Sequence, residues 1–208
     1  SKTSENPATI EEVLGLSQAI YDTKNALNGE QRLATEKSKD LKLIKGLKDL
    51  NKAQLEDVTN KVNSANTLTE LSQLTQSTLE LNDKMKLLRD QLKTLVNPVK
   101  ASLNYRNADY NLKRQFNKAL KEAKGVLNKN SGTNVNINDI QHLLTQIDNA
   151  KDQLNGEQRL KEHQQKSEVY VIKELDILNN AQKAAIINQI RASKDIKIIN
   201  QIVDNAIE

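Results

Sequence analysis

The sequence predicts an all-α chain of tandem three-helix bundles joined end to end by long shared helices into a rod. Three observations carry that expectation. The heptapeptide LNGEQRL at Leu27–Leu33 returns letter for letter at Leu154–Leu160, 127 residues on, a period that suits an array of whole domains and exceeds the short periods of solenoids. Among 208 residues there are only 6 Gly, 2 Pro and five aromatic residues (4 Tyr, 1 Phe), too few turn and β-forming residues for sandwiches or barrels. Apolar residues recur at steps of three and four, the spacing of one face of a helix.

The two copies share apolar positions beyond the seven letters. Ile10, Val13, Leu16, Ile20 and Leu27 fall on Ile137, Ile140, Leu143, Ile147 and Leu154. Downstream the offset becomes 128, with Ile44 on Ile172, Leu50-Asn51 on Leu178-Asn179 and Val62 on Ile190, so one residue is inserted between Leu160 and Val169. The chain therefore reads as a window from a longer array, with the helix of residues 10–27 exposing an apolar stripe or borrowing a partner.

The elements follow in order. Thr9 with Glu12 is a capping box that opens the first helix, and the same device stands at Asn51 with Gln54, Thr67 with Glu70 and Asn179 with Gln182. Leu55, Val58 and Val62 make a short helix, repeated from Asn179 to Ser193. From Thr67 one long helix leaves one core and enters another through Leu81, Met85, Leu88, Leu92 and Leu95. Asn97-Pro98 is expected to end it, because proline disfavours helical geometry in the residue before it. Residues 98–108 form a connector, and Leu112 to Leu127 an amphipathic helix closed by the polar Asn128–Gly132 loop.

The last long helix is expected to run from about residue 136 to 178. Asn155-Gly156 is a helix-stop signal, but KEHQQKSE at 161–168 is all helix-compatible and has no apolar residue, as in a helix spanning solvent between two cores. Continuity through Gly29 and Gly156 is therefore the expectation. The resulting division is 1–33 as the last helix of one bundle, 34–80 as a bundle, 81–160 as a bundle of a second kind, and 161–208 as a bundle of the first kind.

The charge balance is +4, with Lys113, Arg114, Lys118, Lys121, Lys124 and Lys129 as its densest cluster. Basic residues without interleaved aromatics are a solvated face rather than a nucleic-acid site. No cysteine is present, which removes disulfides and thiolate metal sites. His142 and His163 have no further His or Cys at ligand spacing, and phosphate-binding loops and EF-hand loops are absent. Carboxylate pairs such as Glu11-Glu12 and Glu56-Asp57 lie near helix N-termini, where they complement the dipole. The expectation is a non-enzymatic chain with no cofactor, no metal site and no membrane insertion by this segment.

Asn51-Lys52-Ala53-Gln54 with the following short helix and Thr67 to Leu81 resembles a GA module, the small three-helix unit of Gram-positive surface proteins. Asn179 to Ile207 resembles a second, truncated one. Tyr105-Arg106-Asn107-Ala108-Asp109, Phe116-Asn117-Lys118-Ala119 and Leu154-Asn155-Gly156 are similar to a FIVAR module. Alternation of the two with this period resembles giant cell-wall proteins. The resemblance implies a fibrous, extracellular, cell-wall-associated adhesin repeat, a stiff spacer that takes part in binding a host matrix protein such as fibronectin, with a membrane anchor elsewhere in its full chain. The alternative it implies is a ligand-binding module for a serum protein such as albumin, or for fibronectin. Albumin-binding GA modules present aromatic anchors on the second helix; here those stretches, Gln54–Val58 and Gln182–Ile186, hold none, and interface hot spots favour Tyr, Trp and Arg. The candidate partner-binding residues are Ile186 and Ile187 as an aliphatic patch, and Lys113, Lys118 and Lys121 as a basic one.

Overall fold

The computed structural model describes residues 7–208, so the first six residues of the 1–33 segment lie outside the described residues. The described residues hold ten α-helical segments and no strand: α1 (Ile10–Ala26), α2 (Gly29–Lys45), α3 (Lys52–Ser64), α4 (Leu68–Ala101), α5 (Leu103–Arg106), α6 (Tyr110–Val126), α7 (Ile137–Asp152), α8 (Gly156–Glu174), α9 (Asn180–Ala192) and α10 (Ile196–Ile207). They fall into two compact units. One comprises residues through Leu47 with Asp57–Thr78, the other Lys48–Glu56 with Leu79–Glu208.

In the first unit Ile44, Val58, Val62, Ala65 and Leu71 are buried. These residues of α2, α3, the following loop and α4 are the bundle core anticipated for this part of the chain. Polar contacts tie the same helices: Lys37 Nζ donates to the carbonyl of Asn63 at 2.7 Å, and Thr75 Oγ1 to Asp40 at 2.8 Å. α1 begins on the expected Thr9–Glu12 box and buries nothing. Its apolar stripe is exposed, with Ile10 at 78 % and Ile20 at 69 %.

The second unit holds two bundles. In the first, α6 packs on α7, α4 is tied to α7 by Gln91 donating to Asp148 at 3.0 Å, and Met85, Leu88, Phe116, Ile140 and Ile147 are fully buried. α7 opens on a capping box of Asn136 with Asp139 that the sequence reading overlooked. In the last bundle α8, α9 and α10 pack mutually around Leu160, Val171, Leu175, Ile190 and Ile199. Leu103 of α5 packs against this core as well.

Three expectations are corrected. Pro98 does not end α4, which continues to Ala101. It sits in the final turn, where a missing N–H removes a single helical bond, and half-buried Leu95, Val96 and Val99 hold that turn in place. The helix is not continuous through Gly29 or Gly156: α1 ends at Ala26 and α2 starts at Gly29, while α7 ends at Asp152 and α8 starts at Gly156. The asparagine before each glycine adopts the same bent backbone, φ −104° and ψ 19° at Asn28, φ −119° and ψ 17° at Asn155, so the local Asn-Gly signal prevails. Finally, the polar stretch 161–168 does not span solvent. Gln164 Nε2 donates to the carbonyls of Ile190, Arg191 and Ser193 at the end of α9, supplying partners that a helix C-terminus lacks. Ser167 is buried and Glu168 chelates Arg191. The inserted residue is absorbed inside α8, which has 19 residues against 17 in α2, the other extra residue being Glu174 at its end, where α2 has already stopped before Gly46.

Candidate partner-binding surfaces

The basic residues of α6 occupy the side of the helix opposite its core. At about 100° per residue, Lys113, Arg114, Lys118, Lys121 and Lys124 share one arc, and buried Phe116, Ala119, Leu120 and Ala123 lie across the axis. Not all are equally available. Lys113 donates to the carbonyl of Arg106 at 2.6 Å and lies 5.8 Å over the Tyr105 ring, while Lys118 faces Glu122 at 3.8 Å. Lys121, Arg114 and Lys124 are exposed. Lys129 has left the group: its Nζ donates to the carbonyls of Lys48 and Leu50. Burial, followed by the charge of Arg89, pushes its pKa down.

Ile186 and Ile187 are half-buried and pack against the last bundle's core. His142 is exposed, and His163 meets Asn200 at 2.6 Å. No group of three or more potential metal ligands occurs among the described residues. An open depression of about 640 Å³ beside Pro98, Asn104 and Leu154 has Lys151 on its rim. Asp152 at 3.2 Å and Asp148 at 3.6 Å raise the Lys151 pKa, the reverse of what an amine nucleophile requires.

The chemically dense places are two polar junctions that the sequence reading missed, because their partners are distant in the chain. At the first, Asn51 and Gln54 are fully buried. They form their expected capping box and also reach outwards, Asn51 Nδ2 to the carbonyls of Val126 at 3.1 Å and Thr133 at 2.8 Å, and Gln54 Nε2 to that of Val135 at 3.0 Å. Gly132 is required here, since a Cβ would lie 2.5 Å from the Asn128 and Val126 carbonyl oxygens. Arg89 pairs with Asp49 beside it.

At the second junction the loop after α5 joins both bundles of the unit. Asn107, 4 % exposed, donates to the carbonyl of Lys194 at 3.1 Å and accepts the N–H of Ile196 at 3.0 Å, so it satisfies one of the orphan amides of α10. Asp109 exchanges two hydrogen bonds with Asn155, accepting at 2.6 Å and donating its backbone N–H at 3.1 Å, and holds Arg159 at 3.0 Å. Arg159 also donates to the carbonyl of Asn107 at 2.7 Å. Gly156 is buried here, where a Cβ would stand 2.3 Å from the Asn104 oxygen and 2.6 Å from Leu103 O and Ala108 N. The interrupted helix is thereby cross-braced at its break.

Small helical bundles with boxed second helices and a polar brace between the two bundles of the second unit define a modular, all-α repeat protein. The chain belongs to the GA module family, which matches residues 30–84 and 157–208, and a FIVAR domain matches residues 84–155. It is similar to the extracellular matrix-binding protein ebh of Staphylococcus aureus (strain MW2), 34% identical over 187 residues that make up 90% of this chain. The chain spans 2% of that relative's length. Its fold is shared with a crystallised EbhA domain from Staphylococcus aureus at a TM-score of 0.81 and 24% identity, covering 91% of this chain and 77% of that one. A second structure, from work on Embp-mediated Staphylococcus epidermidis adherence to fibronectin, aligns at a TM-score of 0.54 and 22% identity over 60% of this chain and 98% of that one.

Proposed function

We propose that this chain is a non-enzymatic structural repeat of a cell-wall-associated adhesin, acting as a stiff spacer and taking part in binding a host matrix protein. The observation that carries the spacer reading is the brace of Asn107, Asp109, Asn155 and Arg159 across the break between α7 and α8. Hydrogen bonds on both sides of a chain turn remove the freedom a bare Asn-Gly linker would have. Domains at 1–33, 34–80, 81–160 and 161–208 are the units repeated. Small-angle scattering on chains of one, two and three copies tests this: a constant increment in maximum dimension per copy supports stiff coupling, and growth with the square root of copy number refutes it.

Matrix binding is supported by the character of the Staphylococcus aureus relatives as extracellular matrix-binding proteins. Fibronectin is the first probe. Albumin is the weaker candidate, since Gln182, Ala184 and Ala185 offer α9 no aromatic anchor and Ile186 and Ile187 are engaged in the core. Surface-plasmon titration of both proteins over the chain decides between them, and silence from fibronectin at tens of micromolar would dispose of the adhesive role. A second reading, adherence to wall polyanions, is favoured by the basic arc of α6, on which Lys118 and Lys121 are exposed and Lys113 is half-buried. Its binding must weaken with salt, because exposed charges are screened within about 10 Å at 0.1 M ionic strength.

A further inference from the structure

Asn-Gly occurs twice in the chain, at residues 28–29 and 155–156, each time within the heptapeptide LNGEQRL. The pair carries chemistry of its own. The side-chain amide of asparagine is an electrophile, the next backbone nitrogen is a nucleophile, and glycine has no Cβ to obstruct their approach. In both copies the glycine is the first residue of a helix, so its N–H has no partner within that helix. The two asparagines share a backbone conformation, ψ 19° at Asn28 and 17° at Asn155. At that angle the glycine nitrogen is turned away from the side chain. Attack therefore requires the peptide plane to swing round, which moves the helix before the pair against the helix after it.

The surroundings decide whether that swing is available. α1 buries none of its residues, Asn28 and Gly29 are exposed, the Asn28 side chain makes no cap hydrogen bond, and nothing lies within 4 Å of a Cβ built on Gly29. Asn155 is pinned instead. Its Nδ2 donates to Asp109 Oδ2 at 2.6 Å, and its Oδ1 accepts the Asp109 N–H at 3.1 Å. Gly156 is wedged against the backbone of residues 103–108, and buried Ile140, Ile147 and Leu160 anchor α7 and α8 on either side.

We propose that Asn28-Gly29 is a site of spontaneous succinimide formation and conversion to isoaspartate, and that the Asp109 brace suppresses the same reaction at Asn155-Gly156. The Gly29 nitrogen bonds to Asn28 Cγ, the Cγ–Nδ2 bond breaks, and Nδ2 leaves as ammonia with the former amide proton. Solvent water then opens the ring. Addition at Cγ gives aspartate; addition at the main-chain carbonyl gives isoaspartate, whose backbone runs through Cγ and is longer by a methylene. Either product exchanges a neutral amide for a carboxylate. At residue 155 that carboxylate would face Asp109, setting a like charge where a hydrogen-bond donor now stands. The reaction there would destroy the contact that prevents it.

Trypsin releases the two sites in closely similar peptides, residues 25–32 and 152–159, so one mass spectrum reads both. The whole chain is aged at mildly alkaline pH, folded or in urea, then digested, and each peptide is scored for amide loss and, by enzymatic methylation, for isoaspartate. In urea the two sites should convert at equal rates, because their neighbours in sequence are alike. In the folded chain Asn28 should stay within about threefold of its urea rate, while Asn155 should fall about 100-fold below it. The second figure is the population of a turn that must break two hydrogen bonds and part packed helices before it reacts. Asp109→Ala should raise the Asn155 rate about tenfold and leave that of Asn28 unchanged. Equal rates at the two sites of the folded chain overturn the proposal, and so does faster conversion at Asn155, which would make Asp109 a base that promotes the reaction. An unchanged Asn155 rate in Asp109→Ala, with α7 and α8 still protected from hydrogen exchange, refutes the brace as the cause. If that variant unfolds, the ratio of folded to urea rates at each site of the unaltered chain decides alone.

Discussion

Replacing Asn51 with alanine separates a helix cap from a tie to α6 and the loop after it, because the repeat supplies its own control at Asn179. Both residues form the reciprocal box with a glutamine three positions on. Asn51 is fully buried and donates in addition to the Val126 and Thr133 carbonyls, whereas Asn179 is exposed with its cap alone. Loss of an N-cap costs about 1 kcal/mol. Stripping two shielded carbonyls of their donors adds about 1 kcal/mol each. Asn51→Ala is therefore expected to cost about 3 kcal/mol, and Asn179→Ala about 1 kcal/mol. In native-state hydrogen exchange this is a loss of protection of about 100-fold in α6 and α7 for the first, against about fivefold in α9 for the second. The decisive comparison is the ratio. Equal losses at the two sites would mean that the bonds to Val126 and Thr133 contribute nothing to stability, and the tie from Asn51 to α6 and the following loop would be refuted.

Further outcomes follow from single contacts. Phe116, fully buried and edge-on to Tyr105 at 5.9 Å, should cost about 3–5 kcal/mol as Phe116→Ala in urea unfolding, with hydrogen exchange around Ile44 of the first unit unaltered. The Arg191 hydrogen bond holds the Glu168 carboxyl below its ordinary pKa. With the folded value below the unfolded one, the stabilisation is whole above about pH 5 and is lost as pH falls through the folded value. The stability gap between the chain and Glu168→Gln should accordingly be constant from pH 7 to about pH 5 and close below it; a gap that widened in acid would contradict the assignment. Lys118→Ala and Lys121→Ala together should lower retention on an anionic resin at low salt and leave thermal stability within about 0.5 kcal/mol, and unchanged retention would remove the basic arc from consideration.

What was legible in the sequence was what local chemistry decides. Boxes at Thr9, Asn51 and Asn179 stand where their side-chain spacing put them. The Thr67 box forms only in part: Thr67 accepts from Glu70 N, but Glu70 reaches past it to the Asn66 N–H. The α4 and α6 seams bury the expected Met85, Leu88, Phe116 and Ala123. Pro98 and the two Asn-Gly pairs misled in opposite directions. At Pro98 tertiary packing overrides a breaker near a helix end, and at Gly29 and Gly156 the breaker holds against a helix-compatible surrounding. Neither junction could be read. Asn51 and Asn107 are ordinary polar letters until chain segments 75 and 89 residues away arrive beside them. The only trace in the sequence was the survival of LNGEQRL intact while the helices around it drifted.

Asn107 also sets an order of events. The first-turn amide of α10, at Ile196, is satisfied by a side chain made 89 positions earlier, and Leu103 fills part of the same bundle's interior. A polypeptide emerging from its N-terminus delivers the receiving loop well before the helix that needs it. The loop that caps α10 is thus already synthesised when α10 emerges, and the α8–α10 bundle closes onto it.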